Sequence, residues 1–265
     1  MKINNKVIAL TKGEVMVYSF GEIKLHAYKT NDLINNEVFI LERDGKGIII
    51  EPPCFYENIK ELEKYLDSIH VKIEAILPSY HMAGASLLKD VPVYSTKKAD
   101  NFGHNGGGKA LIDNFKEAFG DIFDSSIFTT TNIIEADTIK LIGIKLNIIP
   151  TTDAFDIEIP EINAVYTHML GHDTHSIVAG EKHADMLIAQ LEEFLAKNYT
   201  LVLSSHYTPE GLKDVETKIS YLKDLKIIAK NNKTPELFKK AVKDKYPSYL
   251  GENYLDMTTA IFYQS

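Results

Sequence analysis

Three of the nine histidines in this chain directly follow short apolar segments. His81 comes after EAILPSY, His168 after NAVYT and His206 after TLVLSS. Because ligands and catalytic groups gather where rigid strand ends meet loops, we expect the three imidazoles to converge on one site. Imidazole is a common metal ligand and carries protons near neutral pH. For any one of these residues alone, the alternative is a structural histidine held by hydrogen bonds.

The segment HMLGHDTH, residues 168–175, carries further groups that could bind a metal ion. It contains His172, Asp173 and His175 in addition to His168. A zinc ion typically takes about four ligands, and iron takes about five or six. If this segment is a loop, its side chains can turn towards the site and make it rich in imidazole. Which of them turns inward stays open from the sequence.

The elements that position these groups read as strands alternating with helices. Residues 5–50 have the short β-branched segments of a meander, and RDGKG marks a hairpin. Apolar residues at helical spacing predict helices over 57–69 and 181–198, and we expect another after His81, in MAGASLL. The C-terminal third reads as helical, with Thr234 and Pro235 starting one helix. Each half has a meander, a strand, a helix and a strand, which predicts two mixed sheets packed face to face with helices outside.

Composition narrows the class of protein. The 265 residues are 45% hydrophobic, enough for one large core, and we expect one domain over 1–265 with a helical part over about 212–265 packed on it. A net charge of −8 argues against nucleic acid as a partner. Without a signal peptide or a membrane-length apolar run, a cytoplasmic location away from membranes is expected. The single cysteine, Cys54, excludes an internal disulfide and is expected in the core.

The stretch GHNGGGK, Gly103 to Lys109, fits the core of a phosphate-binding loop. Such a loop should follow a buried strand and continue with Ser or Thr, whereas here KKADNF precedes it and Ala110 follows. We therefore interpret it as a glycine-rich surface loop and not as a nucleotide site.

A family resemblance runs over residues 5–211. The segments VFILERDGKGIIIEPP, AILPSYHMAGASLL, VPVYST, AVYTHMLG and LVLSSH resemble those of the metallo-β-lactamase superfamily. Within it, LHAYKT resembles the F-H-G-Y-x-T stretch in the diiron domain of flavodiiron proteins, THMLG resembles S-x-D-x-F-G, and SSHY resembles P-S-H-G. The resemblance implies an α/β fold, an αββα sandwich with one or two metal ions at strand ends between the sheets.

The principal ligand motif of that superfamily is largely missing. Where flavodiiron proteins have H-x-E-x-D-H and the hydrolases H-x-H-x-D-H, an ungapped match puts Ser79, His81, Ala83 and Gly84, of which only His81 can bind metal. A match on the small residues instead makes His81 the last histidine. By the same resemblance, His168 stands at the bridging aspartate and Glu51 at an aspartate that orients the site. Asp153 lies near a missing histidine, so the predicted metal ligands are His81, His168, His206, Asp153, His172 and Asp173.

The flavodiiron resemblance implies a non-haem iron protein, with one or two ions, that binds dioxygen or a related diatomic. His26 would hydrogen-bond the ligand from outside the metal ligands, with Glu51, Tyr80 and Tyr207 as further supporting groups. No flavin is expected in this chain, because no flavodoxin-like segment follows. This favours a sensor or carrier over a fast reductase, working as a homodimer or with a separate signalling or redox partner protein.

Two other functions stay open from the sequence. One is a metal-dependent hydrolase of the thioesterase or lactonase type, in which zinc activates water against a small-molecule carbonyl compound. The other is a catalytically inactive binding or scaffold module, favoured by the lost motif ligands and opposed by the retained histidines. Whether the chain is an enzyme is therefore left undecided by its sequence.

Overall fold

The computed structural model describes residues 5–263, which form two compact units. The first unit comprises residues 5–169 and 203–209, and the second comprises 170–202 and 210–263. The strands are β1 Asn5–Ala9, β2 Glu14–Phe20, β3 Ile23–Lys29, β4 Glu37–Arg43, β5 Lys46–Ile50, β6 Lys72–Leu77, β7 Tyr94–Ser95, β8 Asn132–Ile133, β9 Thr138–Leu141, β10 Ile144–Pro150, β11 Phe155–Ile159, β12 Ala164–Thr167, β13 Leu201–Ser204 and β14 Tyr207–Glu210. The helices are α1 Tyr56–Ser68, α2 Lys97–Asn105, α3 Gly107–Phe119, α4 Glu181–Lys197, α5 Leu212–Asn231, α6 Pro235–Lys245 and α7 Glu252–Phe262.

The first sheet confirms the predicted N-terminal meander. Strands β1 to β5 pair antiparallel in chain order, and β6 joins β5 in parallel. The turn between β4 and β5 is formed by Asp44 and Gly45, both with positive φ (52° and 73°). Positive φ at both central residues is what a two-residue hairpin turn requires.

Helix α1 covers one face of this sheet. Its apolar residues recur at helical spacing, and Ile59, Leu62 and Leu66 are buried together with Ile40 and Ile49 of the sheet. The helix predicted over 57–69 is therefore confirmed. Because side chains alternate along a strand, the residues between these sheet positions point to the opposite face.

That opposite face of the first sheet meets the second sheet. The second sheet has the order β14-β13-β12-β11-β10-β9. Phe39 of β4 packs edge-on against Tyr166 of β12, with ring centroids 6.2 Å apart. Ser79, just after β6, donates its hydroxyl to the carbonyl oxygen of Phe155 in β11 at 2.5 Å. The two sheets thus enclose a common core, as predicted.

Two local predictions in the first unit were wrong. The segment MAGASLL after His81 does not form a helix. Gly84 has a φ of 97°, and its N–H donates to the carbonyl oxygens of Asp124 and Ser126 and not to a carbonyl of a preceding helical turn. The GHNGGGK stretch is not a loop either. It ends α2 and begins α3, with a break only at Gly106, and the ring of Phe102 fills the space above the glycines.

The second unit contains helices α4 to α7. Ile188, Leu191 and Phe194 are buried along α4, as the helical spacing predicted. Thr234 caps α6 through its side chain, which accepts the N–H of Leu237, and Pro235 is the first helical residue. None of the described helices combines the length and the apolar character needed to span a bilayer.

Candidate metal centre

His81, His168 and His206 come together in the first unit. Their ring centroids form a nearly equilateral triangle, with separations of 5.3 Å between residues 81 and 168, 5.0 Å between 81 and 206, and 5.4 Å between 168 and 206. One nitrogen of each ring lies within 4.8 Å of the other two. The three strand ends predicted to meet therefore bring three nitrogen donors to one point.

The turn that carries His81 is built on Glu51. This carboxylate is fully buried and accepts the main-chain N–H groups of Ser79, Tyr80 and His81 at 2.7, 2.9 and 3.0 Å. Burial raises the pKa of Glu51 to about 7, while these N–H groups act in the opposite direction by favouring its charged form. Glu51 has a φ of 54°, a conformation that costs a non-glycine residue on the order of 1 kcal/mol.

His168 is supported by an aromatic ring. Tyr80 stacks on it with a centroid separation of 4.4 Å and an interplanar angle of 7°. The Tyr80 hydroxyl lies 2.9 Å from Oγ1 of Thr151 and 3.2 Å from Oδ1 of the buried Asp156. The hydroxyl is therefore engaged in the fold, whereas the flavodiiron resemblance implied that Tyr80 would support a bound ligand.

His206 is oriented by a carbonyl group. Its Nδ1 lies 3.0 Å from the main-chain oxygen of Ile34, in the loop between β3 and β4. Since a carbonyl oxygen only accepts, Nδ1 carries the proton and Nε2 keeps a free lone pair. A ligand histidine whose other nitrogen bonds a carbonyl is the usual arrangement at metal sites.

The electrostatics suit a cation. Burial lowers the pKa of all three imidazoles, to about 3 for His168 and well below the usual value for His81, so they are neutral at physiological pH. Nε2 of His168 and Nδ1 of His81 are buried without a hydrogen-bond partner among the described residues. The latter lies 3.0 Å from Glu51 Oε2, out of line for a hydrogen bond. Because an unpaired buried polar atom costs about 1–3 kcal/mol, Nε2 of His168 fits metal coordination.

Three positions that the ungapped match aligns with the ligand motif, Ser79, Ala83 and Gly84, contribute to packing. Ser79 bonds Phe155 twice, donating its hydroxyl to the carbonyl oxygen and accepting the N–H at 3.1 Å. Ala83 is buried and forms a β-bridge with Ile127. A Cβ on Gly84 would lie 2.2 Å from the carbonyl oxygen of Pro53. None of these three positions has room or freedom for a metal ligand.

Three further predicted ligands, Asp153, His172 and Asp173, lie outside the group of three histidines. Within residues 5–263, that group is the only set of three or more His, Cys, Asp or Glu side chains close enough to share a metal ion. Asp153 is exposed in the turn between β10 and β11. His172 and Asp173 lie in the second unit, where His172 pairs through Nδ1 with Glu210 at 2.8 Å and Asp173 is exposed. The residues after His168 form a tight turn closed by a bond from the Thr174 N–H to the Gly171 oxygen, which fixes them locally.

His26 faces helix α1 and not the space between the sheets. Its cross-strand neighbour is Ile40, which packs against α1. Nε2 of His26 donates to Glu42 at 3.0 Å, and Nδ1 accepts from the Tyr65 hydroxyl at 2.7 Å. Both nitrogens are occupied, so the geometry contradicts the role expected for His26 beside a bound ligand. Tyr207 lies half-buried at the start of β14, directly after His206.

Asp156, Thr151 and the Ile34 carbonyl were not anticipated from the sequence. Asp156 is hidden in FDIEI, an ordinary strand pattern with acidic residues, and Thr151 follows a proline in a polar turn. A main-chain carbonyl leaves no residue-type signal. Their involvement follows only from the contacts between distant parts of the chain.

Comparison with solved structures identifies the fold. The stereoselective inverting sec-alkylsulfatase Pisa1 from a Pseudomonas species superposes with a TM-score of 0.61 at 14% identity, covering 94% of this chain and 49% of the alkylsulfatase. This chain thus spans about half of that enzyme's length. The metallo-β-lactamase of Erythrobacter litoralis gives 0.58 at 12% identity, covering 83% of this chain and 100% of the lactamase. The BLEG-1 B3 metallo-β-lactamase superposes with a TM-score of 0.52 at 14% identity, covering 69% of this chain and 92% of the lactamase.

No family model matches this sequence, and no curated protein matches it. At such low identity the structural similarity shows the fold alone. The chain therefore has the α/β, metallo-β-lactamase-like fold predicted from its sequence, and its structural neighbours belong to that superfamily.

Proposed function

We propose that this chain holds a single divalent transition-metal ion on His81, His168 and His206 and is a metal-dependent hydrolase. The observation that carries the proposal is the convergence of three neutral imidazoles, with one nitrogen of each within 4.8 Å of the others. Three histidines with an open fourth position form a known ligand set for catalytic zinc. When bound there, such an ion supplies a Lewis acid and lowers the pKa of water to about 7.

The residues of the chain would orient the ligands and leave one side of the ion free. Glu51 fixes the main chain of the His81 turn, and the Ile34 carbonyl fixes the proton of His206 on Nδ1. Both contacts help to orient the donor nitrogens, while burial keeps the imidazoles neutral. By analogy with structural neighbours named as a sulfatase and as β-lactamases, the substrate class would be an ester, sulfate ester, lactone or lactam.

A second candidate function is an iron site that binds dioxygen or a related diatomic, as the flavodiiron-like segments imply. The observation that favours it is that the donor group contains no carboxylate, which in a hydrolase would help to hold and deprotonate water. Imidazole suits iron as well as zinc. In this case the protein would act as a sensor or carrier, with one ion in place of two.

Elemental analysis tests the metal site. Protein purified without added metal should contain about one transition-metal ion per chain, since three histidines with open positions describe one site. His168→Ala and His206→Ala should lose it, while His104→Ala, a half-buried histidine of α2 outside the histidine group, should retain it. A wild-type protein that neither carries nor takes up zinc, cobalt or iron would eliminate both candidates in favour of an inactive scaffold.

Turnover and spectra then separate the two candidates. The metal-loaded protein would be assayed on aryl esters, aryl sulfates, lactones and a cephalosporin. The ferrous protein would be prepared anaerobically in a cuvette and then exposed to oxygen. Hydrolysis abolished in His206→Ala supports the hydrolase. A visible absorption band that forms reversibly with oxygen, without hydrolysis, supports the iron function instead.

A further inference from the structure

Each imidazole of the proposed metal centre is held by a different kind of contact. His81 belongs to the turn bonded by Glu51, and His206 donates Nδ1 to a carbonyl oxygen. His168 differs, because its main contact is the parallel ring of Tyr80 at 4.4 Å. Its buried Nε2 has no hydrogen-bond partner among the described residues. The plane of the His168 ring therefore depends on an aromatic face.

Tyr80 is itself fixed at both ends. Its main-chain N–H donates to Glu51 Oε1 at 2.9 Å, and its hydroxyl lies within hydrogen-bonding distance of Thr151 and Asp156. Thr151 is held in turn, since its Oγ1 accepts the N–H of Ala154 at 3.1 Å and its carbonyl oxygen accepts Nζ of Lys98 at 2.8 Å. A ring anchored at the backbone and at the hydroxyl cannot tilt freely.

This stacking should be stronger when the site is loaded. A metal ion withdraws electron density from the imidazole that binds it, and an electron-poor group is attracted to the negative face of an aromatic ring. The phenol face of Tyr80 then stabilises the metal-bound form of His168 more than the free form. A residue with that preference raises metal affinity and does more than fill space.

We propose that Tyr80 is the positioning residue of His168, setting its ring plane and strengthening metal binding through the stack. The inference rests on the metal site proposed above. It assigns to Tyr80 a role in metal affinity that depends on the ring, with the hydroxyl serving to hold the ring in place.

The test is cobalt(II) binding to the full chain, followed by the visible bands of the bound ion. Tyr80→Leu removes the stack and should weaken cobalt affinity by about tenfold or more, the usual cost of losing a ligand's support. Tyr80→Phe keeps the ring and should stay within about threefold of wild type, but with shifted bands because the anchor is lost. Thr151→Val removes one of the two hydroxyl partners of Tyr80 and should shift the bands in the same direction as Tyr80→Phe. If Tyr80→Leu does not fold, Tyr80→Met, which also lacks the ring, serves in its place.

Tyr65→Leu is the matched control. Tyr65 is more buried than Tyr80, and it likewise donates its hydroxyl within the fold and contacts a histidine, His26, at a centroid distance of 5.8 Å. It should lower the melting temperature of the metal-free protein and leave cobalt affinity unchanged. Equal affinity of Tyr80→Leu and wild type, or an equal loss in Tyr65→Leu, would overturn the role of Tyr80 while leaving the metal site intact. A wild type that binds no cobalt would overturn both.

Discussion

The carboxylate of Glu51 accepts the main-chain N–H of His81 at 3.0 Å and also lies 3.0 Å from Nδ1 of the same residue. One buried acid thus contacts both the backbone and the ring of a candidate ligand. Because it also accepts the N–H groups of Ser79 and Tyr80, the position of the His81 turn depends on it.

Glu51→Ala should therefore reduce both stability and metal affinity. Loss of the acceptor leaves three buried N–H groups unpaired, which should lower the free energy of unfolding by about 2–4 kcal/mol. Metal affinity should fall by about 10–100-fold. Urea unfolding and cobalt titration measure the two effects. Glu61→Ala is the control, because Glu61 accepts the N–H groups of Lys12 and Gly13 away from the histidines and should affect stability only.

His26→Ala should destabilise the protein without altering metal or ligand binding. Both ring nitrogens bond within the α1 face, so their loss should cost about 1–3 kcal/mol of unfolding free energy. Cobalt affinity and any oxygen-induced spectrum should be unchanged. A selective loss of the oxygen response, with stability preserved, would show that the side chain reaches the site after all.

Glu37 should make stability fall as pH rises. Its carboxyl is buried, one of its oxygens has no partner among the described residues, and burial raises its pKa from 4.5 to about 8. The folded state therefore retains a proton that the unfolded chain releases above about pH 4.5. Between pH 5 and 8 this group should remove on the order of 3 kcal/mol of unfolding free energy. Glu37→Gln should flatten the profile over that window, and an unchanged profile would contradict the assignment.

Lys218 should hold the segment after Leu170 in the second unit. Its buried Nζ donates to the carbonyl oxygens of Gly171 at 2.8 Å and Thr174 at 2.6 Å. Lys218→Met keeps the aliphatic stem but leaves both oxygens without this donor, which should cost about 1–3 kcal/mol. Amide hydrogen exchange at residues 171–175 should accelerate. The exposed Lys213→Met, on the same helix, should leave exchange and stability as they are.

Gly84→Ala should be among the most destabilising substitutions in the first unit. The new Cβ would meet the Pro53 carbonyl oxygen at 2.2 Å, and the φ of 97° disfavours any side chain. The expected cost is roughly 3 kcal/mol or more. Gly21→Ala separates the two causes, because Gly21 has a φ of 65° and nothing near its Cβ. It should cost about 1–2 kcal/mol. Similar melting temperatures for the two variants would refute the steric argument.

Much of the fold follows from local patterns. The meander, the Asp44–Gly45 hairpin and helix α1 could be predicted because alternation, turn chemistry and helical spacing are properties of neighbouring residues. The convergence of the three histidines followed from strand ends alone. Strand β11 was not identified, because Asp156 and Glu158 make FDIEI more polar than the other core strands.

The remaining features depend on contacts across the chain. Nothing in LHAYKT reveals which face of its strand helix α1 will cover, so the side on which His26 lies could not be read from the motif. The absence of a helix after His81 depends on main-chain bonds to Asp124 and Ser126, some forty residues away in the sequence. The support of His168 by Tyr80, Thr151 and Asp156 likewise joins three separate segments.

The packing roles of Ser79, Ala83 and Gly84 limit how this protein could change in evolution. A histidine at position 79 would remove the two hydrogen bonds between Ser79 and Phe155 that join β11 to the end of β6. An aspartate at 83 would put a charge into the core, and any side chain at 84 would collide with Pro53. A fuller set of metal ligands at these three positions would therefore need compensating substitutions in the packing around them.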